Sequence, residues 1–522
     1  MLETNFSALD WGIVGAYLVG TVIIGLWVNR YIKGMGEFLV AGRSLKTRLG
    51  IATMIGSELG LVTAMFAAQK GFSDGFAAFH IGLMAGIATI IVGLTGFIVV
   101  PLRRMGVMTI PEYYEKRFGS RNLRIFGGFI LAVAGILNMG LFLKAGATFV
   151  SGITGIDGDA VKWVMTAMIL LVLIYTCLGG MISVIITDYV QFVVLSIGLL
   201  VTCVIAVQKI GWSTLVKGVD TIYSEQGFNP FISGGIGGSY VAWMFFLGVI
   251  SCAVWQTAVM RACAAESEEV VKKMYIWSSL GFMIRFLIPQ FIGICALVYF
   301  FDLGSAQPFF EEQGQVRADG IITKKVVSDD PNVTMKAMPV FLGQLLPVGL
   351  LGIVAAGMIA AFMSTHDTYL LCWASVLTED VFNPLKSYKM SEKQRILLTR
   401  TLLILIAAFL VMWGLWYPLG QDLWDYMAVS GAIYFTGAFA ILMMGLYWEK
   451  ASAAGAYSAL IIGIFAVFGL RPVQEFFSIE EFFIKNEILG HHIGLTVSCL
   501  AIISMIVMSV SFPNKESNSE KI

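Results

Sequence analysis

The chain has 522 residues, of which 58% are hydrophobic and 13% are charged. A typical soluble domain has about 45–50% apolar and about 25% charged residues, so this composition excludes an ordinary soluble enzyme, a disordered scaffold and a secreted disulfide framework. The 34 Lys and Arg residues equal the 34 Asp and Glu residues, so no net charge attracts nucleic acid or an acidic partner. The composition is that of an all-α polytopic protein in a lipid bilayer.

Apolar runs of roughly 17–25 residues, the length that crosses a bilayer as a helix, recur along the whole chain. We predict about thirteen transmembrane helices, near residues 10–28, 48–72, 76–101, 123–154, 161–183, 186–208, 239–262, 275–301, 347–377, 397–417, 422–447, 452–470 and 489–512. Two longer polar stretches, about 209–238 and 302–336, are expected to be solvated loops.

The positions of Lys and Arg predict the orientation. If successive loops alternate sides, one set of loops collects 22 of these residues, Arg261 among them, and the other set collects 10. Cytoplasmic loops carry the excess of Lys and Arg, so we predict an external N-terminus and a cytoplasmic C-terminus. We expect a multi-pass protein of the plasma membrane, specifically of a bacterial inner membrane.

Glycines and a polar pair make the second predicted span a candidate ion site. Gly56 and Gly60 flank Ser57 and Glu58 near mid-depth, where an ionisable side chain costs roughly 2.5–3.5 kcal/mol. Such a sequence favours a helix that unwinds, so that its free carbonyls coordinate a cation. The alternative is a continuous, tightly packed helix with Glu58 hydrogen-bonded to a neighbour.

Oxygen-bearing side chains share one face of the ninth span. Ala361, Ser364 and Thr365 stand at i, i+3 and i+4, and Ser364, Asp367 and Thr368 repeat that spacing one turn later. Hydroxyl and carbonyl oxygens suit a hard cation, whereas sulfur and imidazole suit transition metals. The alternative for the hydroxyls is a hydrogen bond back to their own helix.

Other polar groups lie within the predicted spans. Asp188 near the inner end of the sixth span is a helix cap if it acts alone, but together with Asp367 it is a candidate lining of an ion path. Lys144 and Arg285 either neutralise a carboxylate, bind an anionic solute, or extend towards the membrane surface. His366 faces another side of its helix, and we expect it to pack.

No catalytic motif is present. The sequence lacks GxSxG, HExxH and P-loop patterns, so we predict no enzymatic activity, no organic cofactor and no ATP-driven pump. The seven cysteines form no CxxC or Cys/His cluster that would hold a transition metal. The function classes that remain are a transporter driven by an ion gradient and a channel.

Four ordered motifs resemble the sodium/solute symporter family, which includes proline, pantothenate, sialic acid and sodium–glucose carriers. The motifs are GEFLVAGRSLKT (36–47), VPLRRMGVMTIPEYYEKRFGSR (100–121), YTCLGGMISVIITDYVQ (175–191) and LLGIVAAGMIAAFMSTHDTYLLCWASVLTEDVF (350–382). The likeness extends over nearly the whole chain.

The resemblance implies a LeuT-type fold of two five-helix repeats in inverted topology. The implied segments are an extra N-terminal helix and cytoplasmic loop (1–46), the first repeat (47–208), an extracellular loop (209–238), the second repeat (239–447), two C-terminal helices (448–512) and a cytoplasmic tail (513–522). The functional unit is expected to be a monomer.

The resemblance also implies a sodium site between the second and ninth spans. Its ligands would be the carbonyls of Gly56, Leu59 and Ala361 and the hydroxyls of Ser364 and Thr365. Na⁺ would then be the coupling ion.

Some family members have a further cation site nearer the cytoplasm, with an aspartate that matches Asp188. The helix positions of that site are Ser364, Asp367 and Thr368 here. Because a serine is common where Asp367 stands, the acidic side chain either strengthens a second ion site or carries a proton instead.

Two departures from the family patterns bear on the solute. Glu58 stands where proline-type carriers have an aspartate, and Trp255 replaces the aspartate of the sugar-type Asp-Gln pair while Gln256 is kept, which argues against a sugar. The predicted pocket is lined by Glu58, Lys144, Trp255, Gln256, Tyr434 and Phe435. Lys144 favours a carboxylate-bearing solute, such as an amino acid or small organic acid; an ammonium-bearing solute facing Glu58 is the alternative.

The leading hypothesis is therefore sodium-coupled import of a small organic solute by alternating access. Its partners would be that solute, Na⁺ and the lipid bilayer, without nucleic acid. Proton coupling in the same fold is the first alternative, motivated by Glu58, Asp188, His366 and Asp367 within the spans. A transporter-like sensor is the second, and a channel is disfavoured because a cation site at a broken helix suits coupled transport better than flow.

Overall fold

The computed structural model describes residues 4–28, 43–156, 158–233, 236–302, 308–317, 320–386, 390–416 and 423–514. The helices of the first half are α1 (Ala8–Val28), α2 (Thr47–Glu58), α3 (Leu61–Asp74), α4 (Phe79–Thr95), α5 (Val99–Arg104), α6 (Ile110–Phe118), α7 (Arg121–Asn138), α8 (Phe142–Thr154), α9 (Asp159–Ile210) and α10 (Trp212–Tyr223). Those that follow are α11 (Gly237–Val254), α12 (Gln256–Ala264), α13 (Glu268–Asp302), α14 (Pro331–Thr334), α15 (Ala337–Leu345), α16 (Leu350–Val376), α17 (Asn383–Leu385), α18 (Glu392–Trp416), α19 (Leu423–Tyr447), α20 (Ala453–Ile464), α21 (Arg471–Phe476), α22 (Glu480–Lys485) and α23 (Gly490–Ser511).

Helices that can cross a bilayer dominate the fold. Within the described residues, ten helical stretches have the length and apolar composition of a membrane span. The central one is α16, in which every residue except Leu350 and Ile353 is buried. A helix that is apolar on all sides is stable when other helices surround it. The candidate ion ligands of the ninth predicted span therefore lie inside the helix bundle.

Two membrane helices are interrupted. The helix predicted over 48–72 stops at Glu58 and restarts at Leu61, with Gly60 in an extended conformation (φ −84°, ψ 161°). A second interruption separates α11 from α12 at Trp255 (φ −68°, ψ 121°). The first break was predicted from its glycines, whereas the second occurs inside a span that the sequence predicted to be continuous.

The spans expected at 161–183 and 186–208 lie within one helix, α9, in which Asp159–Cys177 and Val184–Ile210 are two separate candidate membrane spans. One other element differs from prediction. The stretch 302–336, expected to be a loop, contains an antiparallel hairpin of β1 (Phe310–Arg317) and β2 (Gly320–Val327). Isoleucine and valine in β2 favour the extended chain.

Glycines let some helices meet backbone to backbone. A Cβ on Gly71 of α3 would overlap the Gln290 carbonyl of α13, and one on Gly293 of α13 would overlap the Ala68 carbonyl of α3. The contact of α2 with α13 is different, because Gly50 faces the Met274 side chain and Gly281 faces that of Ile55.

Candidate ion and solute site

The interruption between α2 and α3 lies against α9. The Gln191 side chain of α9 is buried, and its Nε2 donates hydrogen bonds to the carbonyl oxygens of Gly56 (3.3 Å) and Leu59 (3.2 Å). These are the two α2 carbonyls that the resemblance assigns to sodium. Their backbone donors are missing because the helix ends here, so a side-chain donor or a cation must satisfy them.

The same interruption faces α16. The Thr365 hydroxyl donates to the Ala361 carbonyl at 2.8 Å, and a Cβ on Gly60 would overlap Thr365 Oγ1. Only glycine allows α3 to begin this close to α16. The structure therefore brings the Thr365 hydroxyl and the Ala361 carbonyl to the broken segment of α2 and α3.

Ser364 is turned towards a buried carboxylate. Its hydroxyl donates to Asp188 Oδ1, and Asp188 Oδ2 accepts hydrogen bonds from Thr53 Oγ1 (2.6 Å) and Arg261 Nη2 (3.0 Å). The Asp188 and Arg261 side chains are 0% and 1% exposed. Burial of such a pair is tolerated only when hydrogen bonds satisfy the remaining polar atoms, as they do here.

Arg261 therefore corrects the sequence analysis, which counted it among the loop cations. Its guanidinium also donates to Thr53 Oγ1 (3.2 Å), the Thr257 carbonyl (3.2 Å) and Thr368 Oγ1 (3.0 Å). The available signal was its position inside the span predicted over 239–262.

Asp367 lies in the same buried region but is paired differently. The Tyr175 hydroxyl donates to its Oδ2 at 2.7 Å, while Oδ1 has no hydrogen-bond partner among the described residues. The neighbouring His366 bonds the Phe362 carbonyl through Nδ1 at 2.7 Å and stacks near the Phe362 ring. His366 thus packs against its own helix.

Glu58 connects the two interrupted helices. Its Oε2 forms an ion pair with Arg285 Nη1 of α13 at 3.0 Å, and its Oε1 accepts a hydrogen bond from Thr257 in the first turn of α12 at 3.3 Å. Arg285 Nη1 also donates to the Glu58 carbonyl at 3.1 Å. Of the alternatives considered for Arg285, the structure shows neutralisation of a carboxylate.

Aromatic side chains line the second interruption. Trp255 Nε1 donates to the Tyr369 hydroxyl at 2.9 Å. The Trp255 ring meets Phe435 edge to face with centroids 4.7 Å apart, and Trp373 in the same way at 5.1 Å. Trp255 and Phe435, two predicted pocket residues, are thus in contact, and Tyr369 and Trp373 join them although the sequence analysis did not select either.

Two other predicted pocket residues form hydrogen bonds at α6, away from the aromatic cluster. Gln256 is buried, and its amide pairs with the Ile110 amide (2.9 Å) and the Met108 carbonyl (3.3 Å) at the start of α6. The Tyr434 hydroxyl bonds that of Tyr114 in α6 at 2.9 Å.

Lys144 is half-buried in α8. Within the described part of the chain its ammonium forms no ion pair, and Asp330 at the start of α14 is the charge that acts on it. Among the described residues Lys144 thus has no ion-pair partner, whereas Gln256 and Tyr434 are hydrogen-bonded to residues of and beside α6.

The sequence has relatives along most of its length. Residues 38–463 match the Sodium:solute symporter family. The chain belongs to this family. The resemblance argued from four sequence motifs is thereby confirmed, and membership makes the chain a multi-pass transporter with Na⁺ as its coupling ion.

Two relatives of the symporter are sodium/glucose cotransporters. It is 26% identical to sodium/glucose cotransporter 4 of Danio rerio, over 97% of this chain and 79% of the relative. It is 27% identical to the sodium/glucose cotransporter of Vibrio parahaemolyticus, over 90% of this chain and 86% of the relative.

A solved structure of a Na⁺-coupled sialic acid symporter, in a substrate-bound outward-open state, has the same fold. It aligns with a TM-score of 0.78 at 19% identity and covers 98% of this chain and 99% of that chain.

Proposed function

We propose that this sodium-coupled symporter imports a small organic solute, an amino acid or a small carboxylate, by alternating access. The observation that carries the proposal is the interruption of α2 and α3 against Thr365 of α16, with Glu58 and Arg285 at its edge. Two relatives are named for glucose transport. Trp255, which replaces the sugar-type aspartate, and the charges beside it support a different solute class here.

The proposed sodium ligands are the carbonyls of Gly56, Leu59 and Ala361 and the hydroxyls of Ser364 and Thr365. Sodium at the Gly56 and Leu59 carbonyls would displace the Gln191 amide, which donates to both oxygens. Two interrupted helices then change their contacts together, so that bound sodium stabilises the solute-ready arrangement. Linkage requires the solute to raise sodium affinity by the same factor.

Removal of a proposed ligand hydroxyl tests the site. We expect Ser364→Ala and Thr365→Ala each to raise the sodium concentration for half-maximal uptake by about tenfold, the effect of about 1.4 kcal/mol of lost binding free energy. The measurement is solute uptake into proteoliposomes as a function of external sodium. Unchanged half-saturation in both variants would show that the assigned ion site is wrong.

For the topology we propose about thirteen spans, inverted repeats over 47–208 and 239–447, an external N-terminus and a cytoplasmic C-terminus. Ion pairs support the grouping of the predicted cytoplasmic segments on one side: Arg104 pairs with Glu268 at 2.8 Å, and Arg124 pairs with Asp380 at 2.8 Å. The expected location is a bacterial inner membrane, and the expected functional unit is a monomer.

Proton coupling in the same fold is the second candidate function. It is favoured by Asp367, a fully buried carboxyl group whose Oδ1 has no partner among the described residues. Uptake with and without sodium at one fixed pH separates the two candidates, because full activity without sodium would exclude sodium coupling.

A further inference from the structure

We propose that Glu58 and Arg285 recognise the charges of the solute, and that the solute is a zwitterion with an ammonium and a carboxylate about one carbon apart, as in an α-amino acid. The proposal rests on the symport function proposed above and narrows its solute class. Arg285 thereby becomes a specificity-determining residue.

The position of the pair supports this assignment. Glu58 is the last residue of α2, and its carboxylate also accepts the hydrogen bond from Thr257 in the first turn of α12. The ion pair therefore lies where both broken helices meet, the place where transporters of inverted-repeat architecture bind their solutes.

The pair also differs from its buried neighbour in accessibility. The Asp188 and Arg261 side chains are 0% and 1% exposed, whereas Glu58 and Arg285 are 16% and 11% exposed. Asp188 uses both oxygens and Arg261 uses three nitrogens in hydrogen bonds, so that cluster is complete. The pair at Glu58 is the one that a solute can reach.

One edge of the Arg285 guanidinium makes no hydrogen bond to the described residues. Its contacts with Glu58 both come from Nη1, and neither Nε nor Nη2 donates a hydrogen bond to a described residue, although Nε is buried. The ring centroids of Phe282 and Phe286 lie 4.2 and 4.7 Å from the guanidinium carbon, so the two rings pack against this group. On this edge Nη2 is the donor with exposed area, since Nε alone is buried without a partner, and a carboxylate binds such a donor through a charge-assisted hydrogen bond.

The opposite charges of Glu58 and Arg285 favour a zwitterionic solute. Glu58 and Arg285 together are neutral, so a zwitterion brings one new partner to each and leaves no charge unpaired. A monocarboxylate would compete with Glu58 for Arg285 and leave a partly buried carboxylate without its cation, which is costly. A sugar would make no use of either charge.

The test uses the purified full-length protein and its sodium-dependent thermal stabilisation. The probes are the L-α-amino acids and D-glucose, followed by the desamino acid and the decarboxylated amine of each stabilising amino acid. We expect at least one amino acid to raise the Tm in NaCl but not in KCl. Each analogue lacking one charge should bind at least about tenfold more weakly, since a lost partner of a desolvated charge costs that much or more.

Variants then assign each charge to a residue. Glu58→Gln should weaken binding of the amino acid by about tenfold or more but should not weaken binding of its desamino analogue, which then no longer competes with Glu58 for Arg285. Arg285→Gln should weaken binding of the amino acid but not of the decarboxylated amine, which then no longer competes with Arg285 for Glu58, and Arg285→Lys should restore part of the loss for the amino acid. Arg104→Gln, which breaks the exposed pair with Glu268, is the matched control and should change none of these affinities.

Three results would overturn the proposal. The first is an equal loss of affinity for the amino acid and both of its analogues in both variants, which would mark a purely structural ion pair. The second is that selectivity for the carboxylate of the amino acid is lost in Lys144→Ala instead of in Arg285→Gln. The third is sodium-dependent stabilisation by glucose or by a monocarboxylate alone. Each of them leaves sodium coupling intact. Absence of any sodium effect on the Tm of the wild-type protein would instead refute the proposed function. As a folding control, sodium should stabilise the variants in the absence of solute.

Discussion

Gln191 places a neutral donor where a cation is expected, and this has a measurable effect on stability. Gln191→Leu removes two hydrogen bonds to the Gly56 and Leu59 carbonyls. We expect the sodium-free protein to lose about 1–2 kcal/mol of unfolding free energy, while the increase in Tm caused by sodium becomes larger because no amide has to be displaced. Thermal unfolding in NaCl and in KCl measures both quantities.

The matched control is Gln69→Leu. Gln69 is also buried, and its Nε2 donates to the Pro331 carbonyl (3.0 Å) and to Thr334 Oγ1 (2.9 Å) of α14, neither of which is a proposed ligand. This variant should be destabilised equally in both salts. A sodium response identical to that of Gln191→Leu would contradict the role assigned to Gln191.

Residue-level prediction from the sequence rests on spacing along a single helix. Helical periodicity placed Ser364 and Thr365 on one face without any knowledge of the neighbouring helices. It did not reveal that Ser364 points to Asp188 or that Gln256 pairs with Met108 and Ile110. Those directions depend on which helices pack together, which single-helix patterns do not encode.

At the scale of elements, the two interruptions have different causes. The break before α3 has a local signal, because Gly60 tolerates the close approach of Thr365. The break at Trp255 has no glycine or proline, and tertiary contacts of the Trp255 ring with Tyr369 and Phe435 hold it. The first was therefore predictable from sequence and the second was not.

Substitution of Gly60 tests the first interruption. In Gly60→Ala the added methyl would overlap Thr365 Oγ1, so either the Thr365 side chain must rotate away from the Ala361 carbonyl or α3 and α16 must separate. We expect a loss of about 1–3 kcal/mol in unfolding free energy and weaker sodium binding. Gly15→Ala is the control, because nothing lies within 4 Å of its added Cβ. If the double variant with Thr365→Ala recovered no thermal stability, the steric explanation would fail.

Arg261 joins four helices. From α12 it reaches Thr53 of α2, Asp188 of α9 and Thr368 of α16. Arg261→Gln leaves the Asp188 carboxylate buried without its cation, and we expect a loss of about 3–5 kcal/mol in unfolding free energy.

Double-mutant analysis checks that explanation. Thermal unfolding of Asp188→Asn with Arg261→Gln should show less destabilisation than the sum of the single variants, because neither charge is left alone. Arg104→Gln, at an exposed pair, should leave the Tm unchanged. Additive losses in the double variant would mean that the two side chains act independently.

At the scale of the whole molecule, charge distribution predicts the orientation. A fluorescent protein fused after Ile522 should fluoresce inside bacterial cells, and alkaline phosphatase at the same position should be inactive, because the Lys and Arg excess marks the cytoplasmic side. The same two reporters fused after Glu225 should give the opposite pattern. The opposite result at the C-terminus would reverse the proposed topology.

The contacts of α3 with α13 are closer than those of α2 with α13. Because α3 and α13 touch through backbone atoms at Gly71 and Gly293, we expect these two helices to move as one rigid body. In contrast, α2 meets α13 through the Met274 and Ile55 side chains, which can change rotamer as the helices slide. We therefore expect the segment at Leu59 and Gly60 to act as a hinge about which α2 swings while α3 stays with α13. Glu58, at the moving end, would carry its half of the ion pair with it.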